Sequence, residues 1–128
     1  LGLGHVFAVG WQLDIRGDLD KAEVMYRTAV RLSDKDRSFF VAHQYLANLY
    51  RRQGKLDAAE PLYREAIAMC TQSSGDGVEL AGVLEDYGAM LRLAARPEDA
   101  RKVLERANSI RLKHGQATRP TTETAPAK

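Results

Sequence analysis

The strongest constraint on the fold is an internal repeat. The segment RGDLDKAEVMYRTAV begins at Arg16, and QGKLDAAEPLYREAI begins at Gln53, an offset of 37 residues. The two share Gly, Asp, Ala-Glu, Tyr-Arg, Ala and an aliphatic residue at identical spacing. A further offset of 41 residues reaches a third copy, which includes Arg96 to Ala107. Self-similarity at such a period is typical of a repeat protein, in which one supersecondary unit is stacked several times.

Each unit contains two apolar segments at helical spacing, separated by a short break at Gly17-Asp18, Gly54-Lys55 or residues 95–97. This pattern predicts helical hairpins, with Gly in the left-handed conformation that ends a first helix. Small residues in fixed columns let two antiparallel helices approach closely. The columns are Gly10/Ala47/Gly88, Ala22/Ala59/Ala100 and Ala29/Ala66/Ala107. The predicted helices are 3–16, 19–32, 37–53, 56–72, 77–95 and 97–113.

The middle unit, HQYLANLYRRQGKLDAAEPLYREAI from His43, resembles a tetratricopeptide repeat (TPR). Its LANLY and AEPLY segments are similar to the longer repeats of the kinesin-light-chain type, which also fits the long offsets. The resemblance covers Leu3 to about Gly115. It implies an all-α fold, a right-handed superhelical stack of three helix-turn-helix hairpins formed by six helices. We expect a TPR domain at 1–115, with repeats at about 3–36, 37–76 and 77–114.

Residues 116–128 (QATRPTTETAPAK) lack a large apolar side chain. Such a segment cannot bury enough surface to offset its ordering entropy, so a flexible C-terminal tail is predicted.

Composition argues against several function classes. A formal charge of +2 is too small for a general nucleic-acid binder, and no apolar stretch has the roughly 20 residues that span a bilayer. The single cysteine and the three dispersed histidines do not have metal-ligand spacing. Acidic residues lie at helical spacing from bases, as in Glu60/Arg64, which indicates a solvated face. We therefore expect neither catalysis, nor a cofactor, nor a metal.

The TPR resemblance implies that the first helix of each hairpin lines a concave groove for a peptide. Among the positions that match are Phe7, Trp11, Asp14, Ile15, Gln44, Asn48, Arg51, Arg52, Glu85 and Arg92. An amide such as that of Asn48 can both donate to and accept from a peptide backbone, and arginines can bind carboxylates. Plainer alternatives stay open: Phe7 and Trp11 could complete the core, and the two adjacent arginines could simply form the polar end of a helix.

The leading hypothesis is a non-catalytic adaptor or scaffold that binds a protein partner through an acidic or C-terminal segment. The alternative is a structural accessory subunit of a larger hetero-complex, docked through the apolar N-terminal helix and the tail; that complex could be membrane-associated. Nucleic-acid binding through the basic last helix is a weaker third hypothesis. We expect a cytoplasmic protein; a periplasmic or membrane-associated one, attached through a segment outside this chain, stays open.

Overall fold

A computed structural model describes residues 2–116 and 118, and within them the chain is all-α, without a strand. The six helices are α1 (Leu3–Arg16), α2 (Leu19–Leu32), α3 (Val41–Arg52), α4 (Leu56–Ser74), α5 (Val78–Leu93) and α6 (Pro97–Lys113). The predicted helix number and order are confirmed. The predicted flexible tail lies outside the described residues except for Gln116 and Thr118.

Helix α3 begins four residues later than the sequence pattern predicts. A short 3₁₀ helix, Ser33–Lys35, follows α2, and the Asp36 carboxylate then accepts bonds from the Ser38 amide at 3.2 Å and the Ser38 hydroxyl at 2.6 Å. Aspartate and serine side chains that bond the nearby backbone in this way compete with helix formation. The local side-chain bonds therefore delay the start of the helix.

A residue in the left-handed backbone conformation lies between the two helices of each hairpin, at the predicted break. Gly17 has a φ angle of 87° and Gly54 one of 77°, whereas the third hairpin uses Ala95 at 59°. Glycine adopts this conformation freely, but a Cβ atom makes it costly. The third turn thus keeps the geometry of the other two under strain.

Packing divides the chain into two compact units, unit 1 before and unit 2 after the boundary between Ser73 and Ser74. Unit 1 has two clusters of buried residues, one around Tyr26 and Leu46 and one around Val6 and Ala42. The Phe7 side chain packs against both clusters. Helices α1, α2 and α3 therefore share a continuous apolar interior.

Unit 2 consists mainly of α5 packed along α6. The two helices approach so closely at Gly88 that a Cβ atom there would lie 2.8 Å from the Cγ and Cδ2 atoms of Leu104. In unit 1, a Cβ atom on Gly10 would lie 2.9 Å from the Tyr26 ring. The column of small residues that the sequence shows thus marks the close contacts within the hairpins.

Candidate functional site

An open cavity of about 410 Å³ lies on unit 1, with walls from α1 and α3. Its volume is within the range of roughly 300–1,000 Å³ that is usual for binding sites. It is lined by Trp11, Asp14, Ile15, Tyr45, Asn48, Arg51 and Arg52.

The α1 wall presents apolar surface to solvent. Trp11 is 46% exposed and Ile15 is 66% exposed. Because they are four residues apart in a helix, they lie on the same face. Tryptophan is one of the residue types enriched at protein interfaces, which makes this wall a candidate contact surface.

The α3 wall is mostly polar. Tyr45, Asn48 and Arg52 follow one another at helical spacing of three and four residues. The Tyr63 hydroxyl of α4 donates a hydrogen bond to Oδ1 of Asn48, which fixes the orientation of the amide. The second helix of the same hairpin therefore fixes the position of the Asn48 side chain.

The two adjacent arginines have different environments. One nitrogen of Arg52, Nη2, lies 2.9 Å from Oδ1 and 2.8 Å from Oδ2 of Asp14. Among the described residues Arg51 has no ion-pair partner, and its buried Nε atom has no hydrogen-bond acceptor. The cavity thus contains one neutralised arginine and one that is not neutralised.

Asp14 receives a second bond from inside the fold. Its side chain is only 9% exposed, and the Tyr26 hydroxyl donates to Oδ2 at 3.0 Å. Burial, followed by this hydrogen bond, raises the pKa of Tyr26 well above its usual value. The carboxylate of Asp14 is thereby shared between α2 and α3.

A similar bond lies elsewhere in unit 1, where the Tyr50 hydroxyl of α3 donates to Oε2 of Glu23 in α2 at 2.8 Å. Burial and this bond together raise the pKa of Tyr50. Tyrosine–carboxylate bonds thus link α1 to α2 and α2 to α3.

The cavity brings together six of the sequence-predicted positions, which are Trp11, Asp14, Ile15, Asn48, Arg51 and Arg52. Phe7 lies in the interior instead. Its ring centroid is 5.8 Å from that of Tyr26, 5.5 Å from that of Phe39 and 5.1 Å from that of Tyr45. Phe7 therefore completes the core of unit 1, which was the alternative to a role in the groove.

The remaining predicted positions, Gln44, Glu85 and Arg92, are not among the residues that line the cavity. Gln44 is half-buried near the start of α3. In unit 2, Glu85 is bound by Arg111 through Nε at 2.6 Å and Nη2 at 2.8 Å, and Arg92 is half-buried in the last turn of α5. Glu85 thus already has a charged partner within its own hairpin.

Sequence reasoning missed Tyr45 as a wall residue. The available signal was its position three residues before Asn48 and seven before Arg52, which puts all three on one face of α3.

Comparison with known sequences decides the family. The tetratricopeptide repeat profile matches residues 39–113, more than half of the chain. The chain belongs to the tetratricopeptide repeat family. The TPR assignment made from the middle unit is confirmed, and the cavity lies at the first helices of the first two hairpins of a TPR protein. A search of curated proteins gave no match.

Solved structures with the same fold include kinesin-light-chain-like TPR proteins. BtubC (BKLC) from P. vanneervenii is 24% identical with a TM-score of 0.83, over 90% of this chain and 48% of that protein. Kinesin light chain TPR-like repeats from Podospora anserina are 16% identical with a TM-score of 0.72, over 90% of this chain and 57% of theirs. The N-terminal domain of the stress-induced protein STI-1 from C. elegans is 18% identical with a TM-score of 0.73, over 84% of this chain and 83% of that domain.

The likeness at these identities concerns the fold. This TPR chain also spans only about half the length of BtubC. In the part that the structure describes, none of the helices combines the length and apolar character needed to cross a membrane. The same residues hold no cluster of three or more potential metal ligands.

Proposed function

We propose that this chain is a non-catalytic protein–protein interaction module that binds a peptide segment of a partner in the cavity of unit 1. TPR proteins typically bind protein partners and are generally non-catalytic, which supports the class of function. Cys70, a conceivable nucleophile, is buried. The compartment, for which we expect the cytoplasm, remains a prediction.

One observation carries the proposal. Arg51, which has no ion-pair partner among the described residues, lines the same cavity as the exposed apolar side chains of Trp11 and Ile15. Tryptophan and arginine are enriched among the residues that dominate binding energies. A guanidinium group binds a carboxylate through charge-assisted hydrogen bonds. An acidic or C-terminal peptide segment that also carries an apolar side chain complements both walls.

Preorganisation supports the same site. The Asn48 amide is oriented by Tyr63, and the α1 wall is tied to α3 through Asp14 and Arg52. A wall that is already ordered binds a segment without a further entropic cost of ordering its own side chains.

The alternative, an accessory subunit docked through the apolar first helix, has less surface available than the sequence indicates. Val6 is buried, and Leu3 and Phe7 pack against the interior of unit 1. The large apolar side chains of α1 that are mostly exposed are Trp11 and Ile15, and both line the cavity. The apolar character of α1 thus serves the core and the cavity together.

Nucleic-acid binding through α6 receives little support from its arginines. Arg101 bridges Glu98 and Glu105, each at 2.8 Å, and Arg106 lies 3.4 Å from Asp76. Arginines already paired with carboxylates release fewer counterions on meeting a phosphate backbone. A partner that is a protein is therefore favoured over a nucleic acid.

The test is peptide binding by the protein and by two charge-reversal variants. The probe is an array of decapeptides, each with one large apolar residue and with zero, one or two glutamates. Both ends of every peptide are blocked, except in one series that has a free C-terminal carboxylate. We expect the unmodified protein to retain peptides that carry a carboxylate, and the Arg51→Glu/Arg52→Glu variant to lose them.

The matched control is Arg27→Glu/Arg31→Glu, which reverses two exposed arginines of α2 and changes the net charge equally. Circular dichroism verifies that both variants are folded. Retained binding in the Arg51/Arg52 variant, or an equal loss in both variants, would reject the cavity as the site.

A further inference from the structure

We propose that Asp14 is a specificity-determining residue: by pairing with Arg52 it leaves the cavity with one ligand-binding cation, Arg51, so that a segment with two adjacent acidic residues gains no advantage over a segment with a single one. This inference rests on the proposed function. It assigns different roles to two arginines that are neighbours in sequence.

The geometry separates the two roles. The Nη2 atom of Arg52 contacts both oxygens of Asp14, and its Nε lies 3.3 Å from the Asn48 carbonyl, so two of its donor groups are used within unit 1. Arg51 has no such carboxylate among the described residues. An incoming carboxylate therefore meets a charge at Arg51 that no described carboxylate offsets, whereas the charge of Arg52 is already offset by Asp14.

Asp14 is not readily displaced from this pairing. Its side chain is 9% exposed and also accepts the hydroxyl bond of Tyr26. A buried carboxylate that lost its arginine would keep only that one described bond, which is unfavourable for a charge out of water. The Asp14–Arg52 pair thus remains closed while a ligand binds to Arg51.

The net charge of the wall residues follows from this arrangement. Arg51, Arg52 and Asp14 together sum to one positive charge, because two positive charges are offset by one negative charge. A chain-terminal carboxylate is commonly held by several converging backbone donors. A single unpaired guanidinium suits one side-chain carboxylate better, and the exposed Trp11 and Ile15 suit an apolar neighbour of that acidic residue.

The test uses end-blocked decapeptides with one large apolar residue and either one glutamate or two adjacent glutamates, measured by fluorescence polarisation at low ionic strength. In the unmodified protein we expect the two peptides to bind within about twofold of each other. In Asp14→Asn, which frees Arg52, the two-glutamate peptide gains about two- to fivefold over the one-glutamate peptide.

Three further variants separate the roles. Arg51→Gln should lose at least about tenfold in binding of the one-glutamate peptide, whereas Asp14→Asn/Arg52→Gln, which removes the ion pair and keeps the net charge, should change it by about twofold or less. Tyr26→Phe removes the other bond to Asp14 without changing a charge, and we expect it to leave the preference between the peptides unchanged.

The outcomes are distinguishable. If the unmodified protein binds neither peptide, the proposed function fails. If it binds them but Asp14→Asn leaves the preference unchanged, or Asp14→Asn/Arg52→Gln loses as much as Arg51→Gln, the role of Asp14 fails while the function stands. Equal binding of an amidated glutamate peptide and a glutamate-free peptide with a free C-terminus overturns the side-chain commitment. If the Asp14→Asn variant does not fold, the unmodified protein still provides a test. Binding of the two-glutamate peptide fivefold tighter than the one-glutamate peptide refutes the inference by itself.

Discussion

The close contact between α5 and α6 gives a stability prediction in which two effects oppose each other. Replacing Gly88 by Ala improves the helix propensity of α5 by about 0.8–1.0 kcal/mol. The new Cβ atom, however, would lie 2.8 Å from Cγ and Cδ2 of Leu104, which is itself 5% exposed and has little room to move. Overpacking of this kind costs about 1–3 kcal/mol. We expect Gly88→Ala to lower the free energy of unfolding by about 1 kcal/mol.

The same helix contains a matched control. A Cβ atom on Gly82 would meet nothing within 4 Å, so Gly82→Ala should show the propensity gain alone, about 0.8–1.0 kcal/mol of added stability. The two variants make an identical chemical change in one helix, and they differ in the neighbour that the methyl group meets. Urea unfolding followed by circular dichroism measures both free energies.

A double-mutant cycle assigns the loss to Leu104. Truncating this residue to Ala removes the atoms that the new methyl group would strike, so Gly88→Ala should become stabilising in the Leu104→Ala background. The coupling free energy should be about 1–3 kcal/mol. Equal stability of Gly88→Ala and Gly82→Ala, or the same effect of Gly88→Ala in both backgrounds, would refute the reasoning.

Two further predictions concern single positions. Replacing the strained Ala95 by Gly should raise the free energy of unfolding by about 0.5–1 kcal/mol in urea titrations, because relief of the left-handed strain exceeds the added entropy of the unfolded chain. His43 is buried, and burial lowers its pKa below the usual 6.5, so its neutral form stabilises the fold fully above pH 6.5 and that contribution is lost as pH falls through the folded-state pKa. Between pH 7.5 and 5.5 the unmodified protein should therefore lose more free energy of unfolding than the His43→Gln variant. The difference should be at most about 1.4 kcal/mol per pH unit below 6.5. Equal losses in the two proteins would show that His43 is not the cause of the pH dependence.

The local features of the fold could be predicted because they are periodic. The breaks at Gly17 and Gly54 and the small residues at Gly10 and Gly88 recur at fixed spacing, and the structure uses them as turns and close contacts. The delayed start of α3 could not be predicted from periodicity, because it depends on side-chain bonds of Asp36 that compete with the helix. Spacing alone therefore predicts elements better than their ends.

The candidate site was harder to predict for a different reason. Phe7 and Trp11 are four residues apart and share a face of α1, yet Phe7 packs into the aromatic interior while Trp11 lines the cavity. The pairing of Asp14 with Arg52 joins residues 38 apart. Helical periodicity carries no information on which charge in one hairpin meets which charge in the next.

The carboxylate of Asp14 also limits how far these hairpins are interchangeable modules. It is held by Tyr26 from its own hairpin and by Arg52 from the following one. Transplanting the first hairpin into another array, or deleting the second, would leave a nearly buried negative charge without its cation. Exchange of whole repeats by recombination or design therefore has to carry an arginine at the position of Arg52, or replace Asp14 by a neutral residue at the same time.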